Sequence, residues 1–197
     1  MYGMSDQDTE GLADSILRSA SITWVSVFHR PTSKATTVTH RLAKGIIQNR
    51  TLLTVIGSRH VDADVARDWL TVQEATRRNS GVVARAARLL KASVFDRYVV
   101  AALDRVTRHP ALLAEVAKLV EMDKAELSSL IRDRLRRTET MDEFMRFAAV
   151  VKERVVCRPS VDGRTQLDAL NEYCWRHVRQ YLVLDDVEQD VGPTRKV

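Results

Sequence analysis

The sequence predicts an all-α fold of about eight or nine short helices, in two helical subdomains joined by a helical linker. Two observations carry this prediction. The 197 residues include only 7 glycines and 4 prolines, too few for the many turns of an all-β protein. Apolar residues also recur every three or four positions in most segments, and residues typical of helix ends separate those segments.

The first two predicted elements are Asp8–Phe28 and Thr36–Ile56. The first is expected to form one or two short helices, because Leu12, Ile16 and Leu17 share one helical face. The second also has helical spacing, but its content of threonine and valine leaves a strand open at either end.

A C-cap signal at Gly57-Ser58 is expected to end the second element. Asp62–Arg78 then predicts a helix with acidic residues in its first turn and arginines in its last, as the helix dipole favours. The triplet Asn79-Ser80-Gly81 is the clearest break in the first half of the chain and is expected to mark a domain boundary.

In the second half, His109-Pro110 separates two helical segments, and Thr140 with Glu143 three residues later forms a capping box. The predicted helices here are 82–108 (one long helix or two in tandem), 111–120, 123 or 126 to 137, 141–156 and 165–184.

These elements predict four parts of the chain. They are an N-terminal helical domain (1–57), a linker helix (58–80), a middle helical domain (81–156), and a C-terminal helix with a mobile tail (157–197).

The charge is distributed in blocks that the net value of +5 conceals. Residues 30–60 contain six lysines and arginines without an acidic residue, and residues 77–108 contain eight against two aspartates. The segments 1–29, 61–76 and 185–197 are acidic on balance. Two separate basic blocks favour binding to phosphate groups, of nucleic acid or of anionic lipid, over a merely solvated surface.

The residues predict no enzyme and no metal site. The chain has no zinc-protease, P-loop, dinucleotide-binding or nucleophile-elbow motif. Cys157, Cys174 and His177 offer three zinc ligands where a structural site needs four, so buried free cysteines are expected. The chain has two cysteines, no apolar run of 18 residues and an acidic N-terminus, and these features predict a reducing, intracellular location. No cofactor is expected.

The basic segment Val82–Lys91 predicts a cationic ridge opposite an apolar one. Such a ridge holds phosphates by charge without reading bases. A helix-turn-helix with its turn at residues 77–82 is the rival structure. It is less favoured because Val82 and Val83 are apolar where a recognition helix needs polar residues.

Two stretches resemble the matrix proteins of orthomyxoviruses. Leu42–Val55 has the Leu-x-Lys-Gly-Ile opening and Thr-Leu-x-Val style ending of the helix that closes their N-terminal domain, and Arg85–Lys91 resembles the basic helix of their middle domain. The separation of about 40 residues is also similar. In length the chain is nearer to isavirus than to influenza matrix proteins.

The resemblance implies a structural protein beneath a viral envelope, located in the virion, the host cytoplasm and the inner face of the plasma membrane. It would bind anionic membrane and ribonucleoprotein or RNA without sequence specificity, and would assemble with itself into a lattice. The residues expected to bind lipid or RNA are Arg30, Lys34, Arg41, Lys44, Arg50, Arg77, Arg78, Arg85, Arg88 and Lys91.

The chain departs from the family at two points. Leu90 and Ser93 dilute the basic run, which puts nuclear import in doubt, and the family's Cys/His cluster is not reproduced, so zinc is not carried over. The alternative hypothesis is a helical, nucleic-acid-binding transcriptional regulator.

Overall fold

The computed structural model describes residues 6–27, 34–57, 63–90, 96–157, 163–184 and 187, and over these residues the predicted all-α class is confirmed. The eight α-helices of these ranges are α1 Asp6–Arg18, α2 Lys34–Gly45, α3 Ala63–Leu90, α4 Arg97–Arg108, α5 Pro110–Val120, α6 Lys124–Leu135, α7 Met141–Phe147 and α8 Glu172–Arg179. Short 3-10 helices lie at Ile46–Gln48, Arg136–Thr138 and Leu167–Ala169.

Strand β1 (Trp24–Ser26) corrects the prediction of one or two helices over residues 8–28. Strand β2 (Thr54–Ile56) lies at the end of the second element, where the sequence leaves a strand open although helical spacing favours a helix. The two strands pair in parallel, with Val25 opposite Val55. All three residues of β2 are β-branched, and β1 contains Trp24 and Val25, residue types that favour strands; Val25 and Val55 pack against the first hydrophobic core. Packing on that core therefore favours strand over helix at these positions.

Gly57 follows β2, so it does not cap a helix as the sequence suggested. A Cβ atom at this position would collide with the indole ring of Trp69 on α3. Glycine is needed here because the backbone approaches that ring closely.

Helix α3 runs without interruption through Asn79-Ser80-Gly81, so the break predicted there is wrong. Side-chain hydrogen bonds to the preceding loop override the local preference of these residues for a turn. The Ser80 hydroxyl donates to the carbonyl of Leu53 at 2.8 Å. Gly81 faces open space, where it weakens the helix by about 1 kcal/mol relative to alanine.

Asn49 and Asn79 form a buried polar link between α1, the loop after α2, and α3. Asn79 is 0% exposed, and its amide donates to the carbonyls of Asn49 and Leu52 at 3.2 and 3.0 Å. Asn49 donates to the carbonyls of Ile16 and Leu17, which end α1. The side-chain Oδ1 of Asn49 accepts from the backbone N–H groups of Thr51 and Leu52. The two side-chain amides thus supply hydrogen-bond partners for backbone groups of a loop that lies outside regular secondary structure.

Two hydrophobic cores share α3. Val72 and Ala75 of α3 lie in the first core, with α1, α2 and the loop residue Leu52. Val83 and Ala86 lie in the second core, with apolar residues of α4, α5 and α6. One straight helix therefore fixes the position of one core relative to the other.

The predicted helix ends of the second half are largely confirmed. Helix α4 ends at Arg108 and α5 begins at Pro110, as the His109-Pro110 signal indicated. Asp123 caps α6 by accepting from the backbone of Ala125 and Glu126. The Thr140 hydroxyl accepts from the backbone of Glu143 and caps α7.

Two helices are shorter than predicted. Helix α7 ends at Phe147 instead of Val156, since Ala149 adopts a left-handed conformation with φ of 61°. The predicted helix 165–184 contains a 3-10 turn and then α8, which begins after Asn171 because the Asn171 side chain caps the backbone of Cys174.

The expectation of buried cysteines is wrong, because Cys174 is exposed and Cys157 is half-buried. Trp175, the next residue, occupies the buried face of α8 and stacks at an angle on Phe144, with ring centroids 5.9 Å apart. The Trp175 indole also donates to the carbonyl of Glu139 at 2.7 Å. The larger apolar side chain sets which face of the helix points inward.

Arginines on α4 hold the C-terminal segment by its backbone carbonyls. Arg97 donates to the carbonyls of Ala148, Leu184 and Val187, and Arg108 donates to those of Gln180 and Leu182. The division of the chain at residues 57, 80 and 156 stays a prediction. Residues 188–197 of the expected tail lie outside the described residues.

We expect Asn79→Ala to lower the free energy of unfolding by about 1–3 kcal/mol, because the buried carbonyl of Leu52 loses its side-chain donor and that of Asn49 retains only Arg78. Urea unfolding measures the change. The matched control is Gly81→Ala, two residues away on the open face, which should stabilise the protein by about 0.5–1 kcal/mol. An Asn79→Ala protein as stable as the parent would contradict the role given to this amide.

We expect Arg97→Lys to speed hydrogen exchange at residues 182–184 and 187 by about tenfold or more, since a compact ammonium does not reach the separate positions that the two terminal guanidinium nitrogens occupy. Exchange followed by mass spectrometry measures this, with exposed Arg154→Lys as the control. Equal exchange in both variants would show that Arg97 does not hold the segment.

Candidate anion-binding surface

The solvent face of α3 carries four of the ten predicted binding residues in one stripe, together with Arg67, which was not predicted from the sequence. Helical spacing places Arg67, Arg77, Arg78, Arg85 and Arg88 within one third of the helix circumference, on the side opposite both cores. From Arg67 to Arg88 this stripe extends about 31 Å along the axis. We call these five residues the α3 ridge.

The ridge arginines differ in whether their guanidinium groups have a partner within the protein. Arg77 forms a salt bridge with Glu74 at 2.8 Å, and its hydrogen bond lowers the pKa of that carboxyl. Arg78 donates to the carbonyls of Ile47 and Asn49 and thereby attaches the segment after α2 to α3. Arg67, Arg85 and Arg88 make no salt bridge to another described residue. These three offer the most accessible positive charge.

Arg85 and Arg88 line a shallow cleft of about 450 Å³ between α3 and the start of α4. The Arg85 guanidinium lies 5.6 Å from the ring centroid of exposed Tyr98. Asp96, also in the cleft, uses its carboxylate to cap α4 at the backbone of Val99. The cleft therefore combines two cations, one aromatic face and one carboxylate that already has a partner.

The structure distributes the other predicted residues over separate places. Arg41 forms two hydrogen bonds with Asp14 of α1, which lower the pKa of that carboxyl, so its charge is balanced within the fold. Lys44 is exposed near the end of α2. Lys34 begins α2, but its side chain is outside the description, and Arg30 and Lys91 lie outside the described residues.

Arg50 belongs to a second basic cluster that sequence reasoning missed. Burial lowers the pKa of His109 below its ordinary value, and the nearby charges of Arg105, Arg50 and Arg108 lower it further. Arg105 and Arg108 lie in the last turn of α4, and His109 precedes α5. Only the fold brings Arg50 to them, since it is more than 50 residues away in sequence.

Two exposed aliphatic side chains accompany the N-terminal part of the ridge. Leu70 on α3 is 66% exposed and Ile47 on the adjoining 3-10 helix is 57% exposed. They line a shallow groove of about 430 Å³ together with Thr71, Glu74, Ala75 and Arg78. Apolar and cationic groups thus share one face.

Among the described residues, no group of three or more His, Cys, Asp or Glu side chains could hold a metal ion. No helix in the described ranges is long and apolar enough to cross a bilayer.

Comparisons with protein families, with curated proteins and with solved structures find no match to this chain.

We expect Arg50→Gln to raise the pKa of His109 towards about 6.5, because a positive charge beside the imidazole is removed. In the parent, the lowered pKa means that the unfolded chain binds more protons below about pH 6.5, so stability falls as the pH drops through that window. NMR titration of the imidazole measures the change, with Lys44→Gln as the control. An unchanged pKa in Arg50→Gln would separate Arg50 from this cluster.

Proposed function

We propose that this chain is a matrix-type structural protein, which lies beneath a viral envelope, binds anionic membrane and ribonucleoprotein, and assembles with itself. The observation that carries the proposal is the α3 ridge. Its arginines lie along one rigid helix over about 31 Å, and three of them make no salt bridge to a described residue. A cationic face of this kind attracts a surface of many phosphates.

The shape of the ridge favours charge-based binding over sequence recognition. A helix-turn-helix at residues 77–82 would need a turn where α3 is continuous. Val82 and Val83, which would begin the recognition helix, are buried in the second core. These two facts favour the matrix-type function over the transcriptional regulator.

Leu70 and Ile47 favour a lipid surface as the first partner of the ridge. Apolar side chains beside arginines suit the boundary between headgroups and acyl chains, whereas a duplex backbone offers them little. Glu74 opposes binding, but its charge is paired with Arg77. Ribonucleoprotein would bind the same charge without sequence specificity.

Self-assembly is supported by an acidic surface far from the ridge in sequence. Helix α1 exposes Asp8 and Glu10 near the exposed apolar side chain of Leu12. A contact between α1 of one copy and the ridge of the next would be head-to-tail, and such contacts extend into open arrays unless the rotation closes. High salt should weaken these arrays.

Sedimentation with vesicles tests the proposal. We expect the protein to bind vesicles with phosphatidylserine and not neutral ones. Arg85→Gln with Arg88→Gln should weaken this binding roughly 30-fold, from about 1 kcal/mol per cation near the surface. The matched control is Lys124→Gln with Lys152→Gln, which removes the same charge from exposed positions off the ridge.

Equal binding to neutral vesicles, or equal loss in the control, would overturn the role of the ridge. Discrimination of one duplex DNA sequence by about a thousandfold or more would instead favour the regulator.

A further inference from the structure

The outer face of α8 presents flat, hydrogen-bonding side chains to solvent. Tyr173 is 83% exposed and Tyr181, just after the helix, is 72% exposed. Exposed His177 lies between them and packs edge-on against Tyr181, with ring centroids 5.6 Å apart. Spacing of four residues places these rings on one face, away from buried Trp175. We call the three residues the α8 aromatic face.

A basic cleft adjoins this face along the same helix. Arg176, Arg179 and Gln180 of the α8 region form one wall of a cleft of about 550 Å³, and Ser128 and Arg132 of α6 lie on the other. Arg132 makes no salt bridge to another described residue, and Arg176 pairs with Glu172 at 2.6 Å at an exposed position. Two accessible guanidinium groups therefore line a cleft beside the aromatic face.

The carboxylates of the cleft do not cancel this charge. Asp104 is buried, with Arg108 at 3.2 Å and Arg179 at 3.8 Å, so two cations share it. Glu139 lies on the rim and is the other acid of the cleft lining. With Glu172, which pairs with Arg176, three carboxylates face the guanidinium groups of Arg108, Arg132, Arg176 and Arg179. One positive charge remains in excess, and it suits a phosphate-bearing partner.

From this arrangement we infer that α8 binds single-stranded nucleic acid, with unpaired bases stacked on Tyr173, His177 and Tyr181 and phosphates near Arg132 and Arg176. Aromatic side chains beside a cationic groove are the combination that holds single strands without sequence preference. This goes beyond the proposed function, in which the α3 ridge binds phosphates alone.

The spacing of the rings favours single strands over duplexes. Four residues of helix separate Tyr173 from His177 by about 6 Å along the axis. Bases in a stacked strand rise by about 3.4 Å. Bases that stack on protein rings must expose their faces, which a flexible single strand allows and the continuous stack of a duplex resists.

Fluorescence anisotropy with a labelled 12-residue oligouridylate tests the inference. We expect Tyr173→Leu with Tyr181→Leu to weaken binding by about 25-fold or more, since each stacked base contributes at least about fivefold. Tyr173→Phe with Tyr181→Phe keeps both rings and should bind like the parent. The Leu variant should leave the salt dependence unchanged, because no cation is removed.

The salt dependence of binding tests the role of the cleft arginines separately. Arg132→Gln with Arg176→Gln should reduce the slope of log affinity against log salt by about 1.4, near 0.7 for each cation lost. Oligodeoxyuridylate, which differs from oligouridylate in the sugar alone, isolates the 2′-hydroxyl: equal binding supports recognition through bases and phosphates, and weaker binding supports a further contact to that hydroxyl.

Three results would overturn the inference. They are unchanged affinity in the Leu variant, an equal loss in the Phe variant, or equal binding of a duplex of the same length. A self-associated protein that the Leu variant dissociates would make this face an interface between copies, and would also overturn it. Vesicle binding by the α3 ridge is measured separately, so the proposed function can stand when this inference fails. Urea unfolding confirms that each variant is folded.

Discussion

The buried amides of Asn49 and Asn79 are the interaction on which the arrangement of this protein depends. They bind the end of α1 and the loop before β2 to the middle of α3. Without donors for those loop carbonyls, the first core would carry unsatisfied backbone groups where it meets α3. Because α3 also contributes to the second core, the same link sets where the basic surface lies relative to the N-terminal helices.

Arginine serves two purposes in this molecule, and composition does not distinguish them. Arg78, Arg97 and Arg108 bind backbone carbonyls and fasten loops to helices. A carbonyl is neutral, so Arg78 and Arg97 keep their charge while they stabilise the fold. Arg108 is also paired with Asp104, and Arg41 is neutralised by Asp14. The electrostatic surface therefore depends on the kind of partner each guanidinium has.

Most of the helices could be predicted, since their signals are local. Proline at the start of α5 and the side-chain caps of α6 and α7 act within a few residues. The continuity of α3 could not be predicted, because Asn79 is satisfied by a loop 27 to 30 residues away. Of the candidate surface, Arg85 and Arg88 followed from helical spacing. The α8 aromatic face could not be predicted in this way. The sequence-based prediction placed Cys174 on the inner face of the helix, which rotates the helix by one residue. The contact of Trp175 with Phe144 gives the correct orientation.

The parallel pairing of β1 with β2 also has a consequence for the order of folding. The paired residues Val25 and Val55 are 30 positions apart, so the chain must close a long loop before the ladder stabilises anything. The second core combines the last turns of α3 with α4, α5 and α6, which are neighbours in sequence. Low contact order favours fast assembly there, so we expect the second core to form first and the N-terminal half to pack onto α3 afterwards.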